Sequence, residues 1–241
     1  MNGKFADGDA AFALHVRDII KGDKFASNKR CSDASFESRQ NLFNQCSNLL
    51  LVPGDNEWND CAANEKSPFH QFTDDFPSAF GGGRPHIVRH NSNPEILFLT
   101  FKEVGVFGLN LPAGDNYIKD RSSVDINAQW VEEKLDKDRC NLKSIVLFGQ
   151  IVQLIGVNAK LHDYYNACST ILTLVIIGNG HPTIYCMKKS ENRFTLTVEA
   201  SQSGPLLVSI VHDTDGLHFF HVKDKDLVDS NQSCPELSMT D

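Results

Sequence analysis

The chain has no long hydrophobic run. Ile171 to Ile177 is brief, and the stretch from Ser144 to Val157 is broken by Gln150 and Gln153, whereas a membrane-spanning helix needs about 20 consecutive apolar residues. Residues 1–20 lack a basic start leading into an unbroken apolar segment, so the sequence predicts no secretory signal peptide and a soluble protein. Positive charge is also in deficit. The 23 Lys and Arg face 31 Asp and Glu, for a formal charge of −8, which excludes the broad positive field that nucleic acid or an anionic membrane would need. There is no internal repeat, heptad pattern or low-complexity tract, and no phosphate-binding glycine loop, dinucleotide fingerprint or serine nucleophile elbow. Seven cysteines are too few for a small disulfide scaffold, and the odd number leaves at least one thiol unpaired within a monomer.

What remains is a pattern of short apolar runs alternating with helical segments, which favours an α/β fold. At 241 residues the chain can bury a substantial core. We expect one domain over residues 1–222 and a polar tail over 223–241. Phe12 to Val16 reads as a strand, Ala34 to Gln45 as a helix with Phe36, Leu42 and Phe43 on one face, and Leu49 to Val52 as the next strand. Residues 62–93 carry Pro68, Pro77, Pro85 and Gly81-Gly82-Gly83, so a long loop forming a lid or rim is expected. Ile96 to Phe101 and Val104 to Leu111 read as a hairpin, and Val124 to Arg139 as an amphipathic helix. Ser144 to Phe148 and Thr170 to Ile177 read as buried strands. Phe194 to Val198, Pro205 to Val211 and Leu217 to Val222 read as later, mostly antiparallel strands.

Two strand ends carry the chemistry. The run Leu49-Leu50-Leu51-Val52 ends in Pro53-Gly54-Asp55-Asn56-Glu57-Trp58, a tight turn with three successive oxygen-rich side chains, the usual way to hold a hard cation. Upstream, Phe12, Leu14 and Val16 lead into Asp18. Strands joined through a helix present their carboxyl ends on one edge, so these acids can share a metal. The plainer readings are a helix-capping Asp18 and an Asp-Asn β-turn with no ligand.

Read together, residues 15–22, Cys31-Ser32-Asp33-Ala34, Arg39, Leu42, Phe43, the turn from Val52 to Trp58, and Asp60-Cys61 resemble a branch of the calcineurin-like metallophosphoesterases. The similarity extends more weakly through residues 129–135 and Gly178-Asn179-Gly180-His181-Pro182. The resemblance implies a two-sheet αββα sandwich, incomplete at the N-terminus, acting on phosphate esters through divalent Mn, Fe, Zn or Mg. It assigns Asp18 as the bridging ligand. Either Asp55 or Asn56 is the third-turn ligand, with Asn56 also matching the position that meets substrate. His181 is the last histidine ligand. A Cys31–Cys61 staple flanking the turn is a further implication, free thiols being the alternative.

Several residues depart from the family pattern. The segment before Asp18 is too short for the first metal motif, Asn179 stands for one histidine, and Gln150 follows Ser144 to Phe148 where another is expected. Neutral amides bind divalent metals more weakly than imidazole or carboxylate. Arg17 replaces a glycine that lets the chain approach the metal. These departures open an alternative function, a phosphoesterase-like binding or structural module without catalysis.

Overall fold

The computed structural model describes residues 13–16, 32–43, 49–54, 87–93, 95–101, 103–111, 121–138, 140–150, 156–168, 172–180, 186–190, 193–199, 207–213 and 216–222. In chain order the elements are β1 (Ala13–His15), α1 (Asp33–Phe43), β2 (Leu49–Leu51), β3 (Val88–Arg89), β4 (Leu97–Phe101), β5 (Val104–Gly108), α2 (Arg121–Asp138), β6 (Ser144–Gly149), α3 (Val157–Ala167), β7 (Leu172–Gly180), β8 (Cys186–Ser190), β9 (Arg193–Glu199), β10 (Leu207–Asp213) and β11 (Gly216–Val222). The architecture is mixed α/β. Seven strands form one sheet in the order β3-β4-β5-β6-β7-β9-β8, while β1 pairs with β2 and β10 with β11 in separate two-stranded sheets. The central strands β5, β6, β7 and β9 run parallel, and antiparallel pairs complete both flanks.

Side chains alternate across a strand, and here the alternation divides the core in two. Val106, Val146 and Leu174 are register partners in adjacent strands. With Phe148 and Ile176 they join Val16, Leu50 and Val52 in one buried cluster, which seats the small β1–β2 sheet on one face. The intervening residues Phe107, Ile145, Leu147 and Val175 point the other way, into a cluster with Trp130, Val131 and Leu135 of α2 and Val157, Leu161 and Tyr164 of α3. Both helices present apolar residues at three- and four-residue spacing, the stripe a helix needs to cover a sheet. A sheet buried on both faces explains why Ile145 to Phe148 and Leu174 to Ile176 are continuously apolar.

The face that carries the small sheet is packed closely at Gly108. A Cβ there would lie 2.7 Å from Cζ of Phe148, 2.8 Å from Cγ of Leu97 and 3.0 Å from Cγ1 of Val52, so only glycine lets the small sheet settle against β5. On the helix side, Cys140, just beyond α2, and Cys168, at the end of α3, form a disulfide.

The expected strands, hairpin and helix are present, with bounds shifted by up to three residues. Four points differ. β7 runs on through Gly178-Asn179-Gly180, beyond the strand end expected at Ile177, and its pairing with β9 slips between Ile177 and Gly180. The segment expected to be loop over 62–93 contains β3 at its end. Helix α3 and strand β8 were not anticipated. Finally, β9 lies parallel to β7 and only its other neighbour, β8, is antiparallel. The tail 223–241, residues 55–86 and the Cys31 and Cys61 pair lie outside the described residues. No helix among the described residues is long and apolar enough to cross a membrane.

Candidate functional site

Strand direction defines one edge. Helix α2 carries the chain from the end of β5 back to the start of β6, and α3 does the same between β6 and β7, so the carboxyl ends of all three parallel strands lie together. The small sheet ends at the same edge, because Val52, just past the end of β2, sits over Gly108 at the end of β5. The N–H of Val52 donates to the carbonyl of His15 at 3.3 Å, which brings the ends of β1 and β2 level. Pro53 and Gly54 continue from there and are buried. The ends of β1, β2, β5, β6 and β7 thus share an edge.

The described polar groups on that edge are mostly amides, secured from behind. Glu95 precedes β4 and Asn110 follows β5, and the antiparallel pairing of Leu97 with Gly108 brings them together. The side-chain amide of Asn110 donates to Oε1 of Glu95 at 2.8 Å. Asn127, in the N-terminal half of α2, accepts from the Asn110 N–H at 3.1 Å and donates to the Asn110 carbonyl at 2.9 Å. A side-chain amide therefore takes the place of a strand neighbour for residue 110, satisfying both of its backbone groups where they are buried. Glu95, Asn110 and Asn127 are all buried. Alongside them, the N–H of Leu109 donates to the Phe148 carbonyl at 2.9 Å, and a Cβ at Gly149 would lie 3.1 Å from the Leu109 carbonyl oxygen. Gln150, next in the chain, is 1% exposed. At β7, Gly178 and Asn179 lie opposite the single residue Val198 of β9, a bulge of the kind that redirects a strand end.

Asp18, Asp55, Asn56 and His181 all lie outside the described residues, as does Arg17. Their chain neighbours are placed. Val16 precedes Asp18 by two residues and is buried, Gly54 immediately precedes Asp55, and Gly180, the last residue of β7, immediately precedes His181. Among the described residues, no group of three or more His, Cys, Asp or Glu is arranged to hold a metal ion. His90 has a different role: its Nδ1 accepts from the N–H groups of Ser92 and Asn93 at 3.3 and 3.2 Å, and its ring lies edge-on to Trp130. On the exposed face of α3, Nδ1 of His162 is 3.0 Å from the Asn166 amide.

Sequence reasoning missed the Glu95, Asn110 and Asn127 network. One signal was present: Asn110 follows the apolar run from Val104, as Gln150 follows Ser144 to Gly149, and Asn127 interrupts the apolar face of α2 beside Ile126. A polar residue on a buried face needs a partner, and here the Asn127 side chain meets the backbone of Asn110 while the Asn110 side chain meets Glu95.

No family model matches the chain, and no curated protein matches it. A solved structure, GAP50, the anchor in the inner membrane complex of Plasmodium, is similar at 9% identity over 90% of this chain and 85% of that one, with a TM-score of 0.38.

Proposed function

We propose that the chain is a phosphoesterase-like domain, of αββα type, that binds one divalent ion weakly at the shared strand-end edge and hydrolyses phosphate esters slowly. The observation that supports this most is the edge itself. The strands preceding Asp18, Asp55 and His181 come from two different sheets, yet their carboxyl ends meet on one side of the fold.

The donor chemistry fits one ion better than two. Asp18, Asp55 or Asn56, and His181 make a carboxylate, oxygen and imidazole set suited to Mn, Fe, Zn or Mg. Among the described residues, the amides of Asn110 and Gln150 stand at the ends of β5 and β6, and the nitrogen of the Asn110 amide donates to the neighbouring carboxylate of Glu95. When bound, such an ion polarises a phosphoryl oxygen and lowers the pKa of a water. The chain's own contribution is to align the three strand ends and keep the sheet beneath them dry.

A second reading, a binding or structural module without catalysis, is favoured by the buried Gln150 at the end of β6, where the resembling enzymes carry a metal-binding histidine. Hydrolysis of an aryl phosphate with added manganese separates the two. The proposal predicts slow turnover that is lost in Asp18→Ala and increased in Arg17→Gly. No turnover in either the wild type or Arg17→Gly leaves the module reading, and rapid turnover by the wild type contradicts both.

A further inference from the structure

The C-terminal ends of α2 and α3 point away from the strand-end edge, and there Cys140 lies two residues beyond Asp138 while Cys168 caps α3. Their Cα atoms are 5.3 Å apart and the bond spans 28 residues of sequence. The two sulfurs differ in access. Cys140 is exposed, whereas Cys168 is 5% exposed and packed in the helix-side core. Cys140 also has a φ of 65°, the left-handed conformation in which helices usually end on glycine. A cysteine is conformationally disfavoured there, so the position is explained by its sulfur and not by its backbone.

A frame independent of the sulfur bond holds the same two helix ends. The hydroxyl of Tyr164, in the last turn of α3, donates to Oδ2 of Asp138 at 2.7 Å. The N–H of Leu142 donates to the same oxygen at 2.9 Å, which fixes the turn carrying Cys140. The N–H of Cys168 donates to the Tyr164 carbonyl at 2.8 Å. Each cysteine is thus tied through backbone or neighbour to one side of the Asp138–Tyr164 contact.

We propose that Cys140 and Cys168 are a reversible redox pair, held in bonding position by the Asp138–Tyr164 contact in both the oxidised and the reduced protein. The partner is a low-molecular-weight or protein disulfide. The exposed Cys140 thiolate attacks one of its sulfurs and releases one thiol; Cys168 then attacks the Cys140 sulfur of the mixed disulfide and releases the second. Two electrons pass from the cysteines to the external disulfide, and the two cysteine protons end on the two released thiols. Reduction retraces these steps, with an external thiolate attacking Cys140 and Cys168 leaving. Holding both thiols on one frame makes ring closure effectively unimolecular.

The test equilibrates the full chain with glutathione buffers of defined ratio at about pH 7 and quantifies the Cys140–Cys168 bond by peptide mass mapping. From these data the equilibrium constant for the bond is obtained for folded protein and for protein unfolded in urea. The folded wild type is expected to exceed the unfolded chain by at least about 100-fold. Tyr164→Phe should lower the folded value about tenfold and leave the unfolded value unchanged, and the trapped mixed disulfide should sit on Cys140. Should Tyr164→Phe fail to fold, Asp138→Asn, which keeps the side-chain shape, supplies the same comparison. Equal constants in folded and unfolded protein, an unchanged folded constant in the variant, or glutathione trapped on Cys168 would overturn the proposal.

Discussion

Single residues set how closely the layers approach. At Gly108 the side chains of Leu97, Phe148 and Val52 converge on the position a methyl would take, so Gly108→Ala forces Phe148 or the small sheet to move. Overpacking of this kind costs about 1–3 kcal/mol, and urea denaturation should show the loss as a lower midpoint with an unchanged slope. Asn127 is the polar counterpart. Its removal in Asn127→Leu strands the buried N–H and carbonyl of Asn110, at about 1–3 kcal/mol for each unsatisfied group. Equal stability of Asn127→Leu and wild type would show that those two bonds are replaced by others. At this scale the sequence was only partly legible. Gln150 stood out because it ends an apolar run, but the bond between Asn127 and Asn110 spans 17 residues, and no local pattern reports which buried amide meets which backbone.

Elements were more legible where burial on both faces left its mark in composition. Strands β6 and β7 read directly because nearly every side chain is apolar, and α2 because Ile126, Trp130, Val131 and Leu135 share a face. Helix α3 escaped notice although Val157, Leu161, Tyr164 and Cys168 recur at helical spacing; the segment Ile151 to Ile155 before it, apolar except for Gln153, blurs the start, and its entry at Gly156 has a φ of 77°. Strand β8 escaped because two successive lysines, Lys188 and Lys189, break the apolar alternation by which a strand is read from sequence. The helix ends also carry a pH dependence. Burial, reinforced by the hydrogen bond to Asp138, raises the Tyr164 phenol above its ordinary 10.0. A pKa raised on folding contributes stability that is full below the unfolded value and is lost as pH rises through the folded one. Stability should therefore fall as pH climbs above about 10, and Tyr164→Phe should flatten that part of the profile in urea melts. By contrast, the exposed pair of Glu133 with Lys137 on α2 should be worth under about 1 kcal/mol, so Lys137→Ala should leave the midpoint nearly unchanged.

For the whole molecule, topology does what no single motif does: it brings strand ends from two sheets to one edge. The sequence made the two approaches legible, through Asp18 after one apolar run and Asp55-Asn56 after another. It did not reveal that Val52 rests on Gly108, because contact between sheets depends on long-range packing. The site proposed above, with one or two carboxylates and one imidazole, should release its ion readily. The most direct test is elemental analysis of the purified protein loaded with manganese and then gently dialysed, with equilibrium titration of wild type and Asp18→Ala in parallel. The expected result is one weakly held ion per chain, largely removed by dialysis, with binding lost in Asp18→Ala. Stoichiometric metal that survives dialysis and is unaffected by Asp18→Ala would contradict the account.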